Sequence, residues 1–296
     1  MAARIGLLVA LLGVVACASD PAVLGRAALA RGDDREAARQ LAMAVRGSDD
    51  AALWRDLARA RQRAGDIDGA HAAIVEAAAR APEDPSIVLV RAQLRLARED
   101  REGAAHDARW LLPRLHDAGS LERLAVVFVR LGDAGAALRA AGAAIEATDG
   151  AAASYVNLAV LATELRRFEA ARDALRAGRA RHPADLTLLE TEAAFLLAQG
   201  QLDAARDDYL ALLPRHARPG LVHLALALVE HARGDHGAAV RHARAAVDAE
   251  GQARSDVHYT LVVTLRDAGL DDEARTALRR AQRRFPGDDA LARLVE

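Results

Sequence analysis

The sequence predicts an all-α fold, an α-solenoid of about eight helix-turn-helix units, and three observations carry that prediction. A single alanine recurs at Ala37, Ala70, Ala104, Ala137, Ala171, Ala205, Ala239 and Ala274, with gaps of 33, 34, 33, 34, 34, 34 and 35 residues. Five residues before each stands a turn column, Gly32, Gly65, Glu99, Gly132, Arg166, Gly200, Gly234 and Gly269. Glycine there supplies the positive φ that ends one helix and lets the next begin. Twelve residues before the alanine column lies a second small column, Gly25, Ala58, Ala92, Ala125, Ala159, Ala193, Ala227 and Val262, which lets paired helices approach closely. Each helix pair hides only part of its apolar stripe and buries the remainder on a neighbour, so at least three such units are needed for stability.

Composition narrows the function classes. The 296 residues carry 40 Lys plus Arg against 42 Asp plus Glu, a net charge of −2, and are 52% hydrophobic, which is the balance of a folded chain. Aromatic residues make up only 3%, so neither the basic footprint nor the stacking platforms of a nucleic-acid binder are present, and no nucleic-acid partner is expected. The one cysteine, Cys17, excludes an internal disulfide and a CxxC metal or redox site.

Taken in chain order, the first element is a targeting segment. Arg4 precedes an uncharged apolar run of 11 residues, Ile5 to Val15, that meets Ser19, Asp20 and Pro21 well short of the ~20 residues a membrane-spanning helix needs. The order of charge, apolar run and small residues is that of a secretory signal, and fits it better than a buried N-terminal helix. Val14-Val15-Ala16-Cys17 resembles the lipobox of bacterial lipoproteins. That resemblance implies a signal peptide over 1–16, a lipidated (palmitate-bearing) Cys17 with a short tether over 17–20, and a membrane contact made through the lipid anchor. Ala18 stands where similar lipoproteins held in the inner membrane carry Asp, which points to the outer membrane, facing the periplasm. The competing reading takes Ala16-Cys17-Ala18 as an ordinary A-x-A cleavage site that releases a soluble periplasmic protein. Ser19 and Asp20 then cap the first helix, with Pro21 in its first turn.

The repeats follow over 21–286. Residues 51–84 place Trp54, Leu57, Ala58, Gly65, Ala70, Ile74, Ala77 and Pro82 in the order large, large, small, turn, small, large, small, proline. Tyr155, Leu158, Ala159, Phe168, Ala171, Leu175 and Pro183 repeat the order, with Arg166 at the turn. This pattern resembles the tetratricopeptide repeat (TPR), which implies a right-handed solenoid, with 287–296 as a C-terminal capping segment after Pro286. Pro113 and Pro214 fall late in the second helices of the third and sixth units; those helices either kink and change the local curvature or stop before the prolines. Trp54, at a large core position, is expected to be buried.

The same resemblance places a partner-binding groove on the first helix of each pair. Its groove positions fall on Arg55, Arg59, Gln62 and Arg63, and further on at Leu89, Val126, Val129, Val156, Val160, Leu197, Leu224 and Leu228. An apolar stripe with an arginine-rich mouth suits an amphipathic helix or an extended protein segment with an acidic flank. Two plainer readings stand beside it: the apolar residues pack on the next first helix, and the arginines are a solvated face paired with Asp56 and Asp66. The carboxylate clamp of chaperone-binding repeats needs Lys and Asn, whereas this chain has no lysine and a single asparagine, Asn157.

Catalysis finds no constellation. No Walker loop, GxSxG or HExxH occurs, so neither enzyme activity, a cofactor nor a small-molecule substrate is expected. His223, His231, His236 and His242 crowd the seventh unit without metal-ligand spacing, and His223 and His258 take a large core position. Asp207 with Asp208, and Asp271 with Asp272, read as helix-start and turn chemistry and not as an acid-base pair. The expected function is an envelope-anchored scaffold that helps assemble or position a multiprotein complex, by analogy with lipoproteins that assist pilus and secretin assembly. An adaptor or regulator of an envelope protease or peptidoglycan enzyme is the alternative.

Overall fold

The computed structural model describes residues 20–250 and 253–294, so the expected signal segment, Cys17 and Ser19 lie outside the described residues. Every regular element among the described residues is a helix, and they fall into two compact units, one ending at Asp149 and one starting at Gly150. The first unit holds four helix pairs: α1 (Pro21–Arg31) with α2 (Asp34–Ala44), α3 (Ala51–Arg63) with α4 (Ile67–Arg80), α5 (Pro85–Ala97) with α6 (Arg101–Leu111), and α7 (Ala118–Leu131) with α8 (Ala134–Ala147). The second holds α9 (Ala152–Glu164) with α10 (Phe168–Arg181), α11 (Leu186–Ala198) with α12 (Leu202–Leu212), α13 (Pro219–Arg233) with α14 (His236–Glu250), and α15 (Ser255–Asp267) with α16 (Asp271–Arg284). A short α17 (Asp289–Arg293) follows, capped by Asp288 and buried through Leu291 against α15 and α16.

The repeat columns have direct structural counterparts. All eight residues of the turn column take positive φ, between 56° at Arg166 and 87° at Gly65, so each pair is hinged by one left-handed residue. Both small columns are buried along their whole length. At Gly25 a Cβ would fall 2.6 Å from Leu41 Cγ, which shows how closely α1 and α2 approach and why the first unit begins that column with glycine. Helix starts are set by aspartate: Asp20 Oδ1 accepts from Ala22 N at 2.8 Å with Pro21 next, and Asp33, Asp66, Asp100, Asp133 and Asp235 each accept a backbone N–H three residues on.

α6 and α12 stop at Leu111 and Leu212, two residues before Pro113 and Pro214, and the chain leaves through a turn in which Arg114 N and Arg215 N donate to Leu111 O and Leu212 O. Neither helix runs on in kinked form, because proline would lose an intrahelical donor and clash with the preceding turn. Two other expectations change. Trp54 is only half-buried: its Nε1 donates to Ser48 O at 3.2 Å and the Arg80 guanidinium lies 5.1 Å from the ring centre, so the ring closes the edge of the core and is not its centre. Asp207 and Asp208 sit in the middle of α12, which begins at Leu202 on the same two-residue offset from the turn as its counterparts; Asp271 and Asp272 do occupy the first turn of α16.

Candidate binding face

In the first unit the first helices touch in series, α1 on α3, α3 on α5 and α5 on α7, and so form one wall. What that wall offers a partner depends on which of its arginines are already neutralised. Asp56, buried on α3, takes Arg26 Nε at 2.9 Å and Arg55 at 2.8 Å, and Arg55 also donates to Ser86 Oγ. Asp107 on α6 is 1% exposed and accepts from Arg91 Nε and Nη2 at 2.9 and 2.7 Å and from Arg95 at 2.8 Å. A buried carboxylate is tolerated only when paired and fully hydrogen-bonded, and these acids meet that condition by consuming arginines.

The remaining arginines converge. Arg59 and Arg63 from α3, Arg123 and Arg130 from α7, and Gln62 and Gln93 line a cleft of about 270 Å³ whose apolar wall is Leu96, Val126 and Val127. Among the described residues Arg59, Arg123 and Arg130 have no carboxylate within salt-bridge distance; Arg123 donates to Gly119 O and Ser120 Oγ of its own helix, and Arg63 is 3.7 Å from Asp34. Burial, then repulsion from Arg123 and Arg63, pushes the Arg59 guanidinium below the usual arginine range. It stays charged at neutral pH, so the cleft holds positive charge that the chain itself does not balance.

The predicted groove residues therefore separate. Arg55 is tied up, Arg59 is half-buried and unpaired, and Arg63 is exposed on the cleft rim. Leu89 is corrected: at 1% exposure it belongs to the core, because Ile87, Val88 and Val90 beside it are also buried and the start of α5 is covered on every side. Val126 is 54% exposed. In the second unit Val160 and Leu228 are 44% and 45% exposed, whereas Val156, Leu197 and Leu224 are partly covered, as is Val129 in the first. Reading the sequence missed Arg123, Arg130 and Gln93. The available signal was their spacing, since Arg123 and Arg130 flank Val126 at three and four residues and so share its helix face.

The histidines form packing pairs. His258 is buried against the Phe285 ring at 5.7 Å, and His223 Nδ1 lies 3.0 Å from His242 Nδ1. Among the described residues no three His, Cys, Asp or Glu side chains gather as metal ligands.

Paired helices hinged by a left-handed residue, stacked through small columns and presenting a first-helix wall, define a helical-repeat binding scaffold. The chain belongs to the tetratricopeptide repeat family, whose model matches residues 55–111, 122–185 and 224–289. No curated protein sequence matches it. Among solved structures, it is similar to the C-terminal part of a TPR repeat-containing protein from Cytophaga hutchinsonii, at 12% identity, 82% of this chain, 100% of that one and a TM-score of 0.59. It is also similar to a tetratricopeptide repeat protein from Parabacteroides merdae, at 17% identity, 81% and 96% coverage and a TM-score of 0.50. Yeast Tom70 matches at 17% identity over 84% of this chain and 55% of its own, with a TM-score of 0.52. These similarities establish the fold.

Proposed function

We propose that the chain is a non-enzymatic scaffold lipoprotein of the bacterial cell envelope, held at the outer membrane through Cys17, that binds a protein segment on its first-helix face and helps assemble or position a multiprotein complex. The observation that carries the binding role is the persistence of exposed apolar side chains on first helices, Val126, Val160 and Leu228, where core packing does not use them. The address rests on the resemblance of residues 14–17 to a lipobox. Several acyl chains, each adding about 0.8 kcal/mol per buried CH₂, would hold such a protein stably at the bilayer.

The binding role is tested by capture from detergent-solubilised envelopes, comparing the full chain with Val126→Glu and Leu228→Glu. Loss of the same captured protein in a variant, with circular dichroism and thermal midpoint unchanged, is the expected result. Undiminished capture by both variants would sink the reading. The address is tested by intact mass and membrane fractionation of the protein and of Cys17→Ser in a bacterium with lipoprotein processing. A mature start at Cys17 with acyl mass, lost in the variant, is expected; a lipid-free start at Ser19 would make it a soluble periplasmic module.

A further inference from the structure

Resting on the reading that first helices bind a protein segment, we propose that the cleft between α3, α5 and α7 is a site for an acidic segment, in which Arg59, Arg63, Arg123 and Arg130 bind several carboxylate side chains. The placement of charge carries the inference. Elsewhere on this wall arginines are matched by buried acids, Asp56 for Arg26 and Arg55, Asp107 for Arg91 and Arg95. Within the cleft, Arg59, Arg123 and Arg130 have no such partner among the described residues, although the chain as a whole is net negative. Asp56, which lines the adjoining hollow with Arg59 and Arg63, attracts Arg59 across space but gives its hydrogen bonds to two other guanidiniums, and burial with repulsion from Arg123 and Arg63 outweighs that attraction.

The spacing identifies the occupant more closely. Arg59 and Arg63 lie one helical turn apart, and Arg123 and Arg130 lie two turns apart, about 10 Å along α7. A single terminal carboxylate cannot meet cations distributed over two helices that far apart; Asp or Glu side chains spaced along one segment can. Planar guanidinium forks match carboxylates. Gln62 and Gln93 supply amides for a peptide backbone, and Val126 supplies an apolar contact between the charges. The cleft offers no aromatic ring on which a base would stack, so a polypeptide is favoured over a nucleic acid. The half-burial of Arg59 beside like charges means that an incoming anion relieves an existing repulsion.

The test is fluorescence anisotropy of the full chain with two end-blocked, labelled peptides, one of alternating Glu and Leu and one of alternating Gln and Leu. The Glu peptide is expected to bind with an affinity that falls as salt rises, and to bind Arg59→Gln and Arg123→Gln about tenfold or more weakly. Because Arg59 makes no salt bridge among the described residues and is crowded by like charges, Arg59→Gln is expected to keep or raise the thermal midpoint, whereas a structural arginine would lower it. Failure of the Glu peptide to bind, or unchanged binding by both variants, overturns the proposal. Equal binding of the Gln peptide overturns it too, while leaving segment binding standing on its own capture experiment. Tighter binding of a labelled oligothymidylate that the Glu peptide cannot displace would assign the arginines to phosphates instead.

Discussion

Arg166 and Glu99 hold φ of 56° and 64° at turns where their counterparts are glycine. A residue with a Cβ is strained there by about 1–2 kcal/mol, against roughly 0.5–1 kcal/mol of extra unfolded-state freedom that glycine brings. Arg166→Gly and Glu99→Gly are therefore expected to stabilise the protein by about 0.5–1 kcal/mol each, measured by urea unfolding. The His223–His242 pair makes an opposite kind of demand. At 3.0 Å between Nδ1 atoms at most one of these two facing nitrogens carries a proton, and burial, joined at His242 by the nearness of His223, holds both pKa values below the usual 6.5. The unfolded chain then takes up protons more readily than the folded one. The contribution of the pair is intact above pH 6.5 and is lost as pH falls through the lower folded values. His223→Gln should show a shallower loss of stability between neutral and mildly acid pH than the parent; identical slopes would show that the pair is not the titrating element.

The second helices differ in how they begin, and that difference is measurable. Asp133 Oδ1 accepts from Ala136 N at 2.9 Å, whereas Gln201, at the equivalent place before α12, makes no side-chain cap. Asp133→Ala is expected to cost about 1 kcal/mol, and Gln201→Asp to return a similar amount. Two matched substitutions in one chain control for differences between repeats, and a null result in both would mean that stacking and not capping sets helix stability here. The shortened α6 and α12 belong to the same scale, because each loses its last turn to a proline whose ring cannot follow the helix. Trp54 also belongs to this level: half-buried at the edge of α3, its replacement by Ala should cost less than the ~3–5 kcal/mol of a fully buried ring.

At the scale of the molecule, the parts legible in the sequence are those fixed by backbone geometry or close approach. A left-handed turn or a buried alanine recurs in every unit because each repeat imposes the same local constraint, so Arg166 could be assigned to a turn despite its side chain. The binding face was legible only in outline. Arg55 and Arg59 sit one turn apart on α3 and are chemically identical, yet one is consumed by Asp56 and the other is left unpaired in a cleft. That distinction depends on which acid each guanidinium reaches in three dimensions. Leu89, Val156 and Leu224 share one repeat position, three residues before the small column, and Val126, Val160 and Leu228 share another, one residue after it; only the second set is exposed, a difference set by how neighbouring helices cover each face.

The stacking described above also sets how the chain acquires its structure. Within each unit a helix packs only on those one or two places away in the sequence, so no native contact waits for a distant segment to arrive. Loop-closure entropy is small at every step, and the mean sequence separation of contacts is low. A nascent helix pair therefore has its packing partners to hand as soon as the adjoining pair has been synthesised, and growth can spread from any pair to the next.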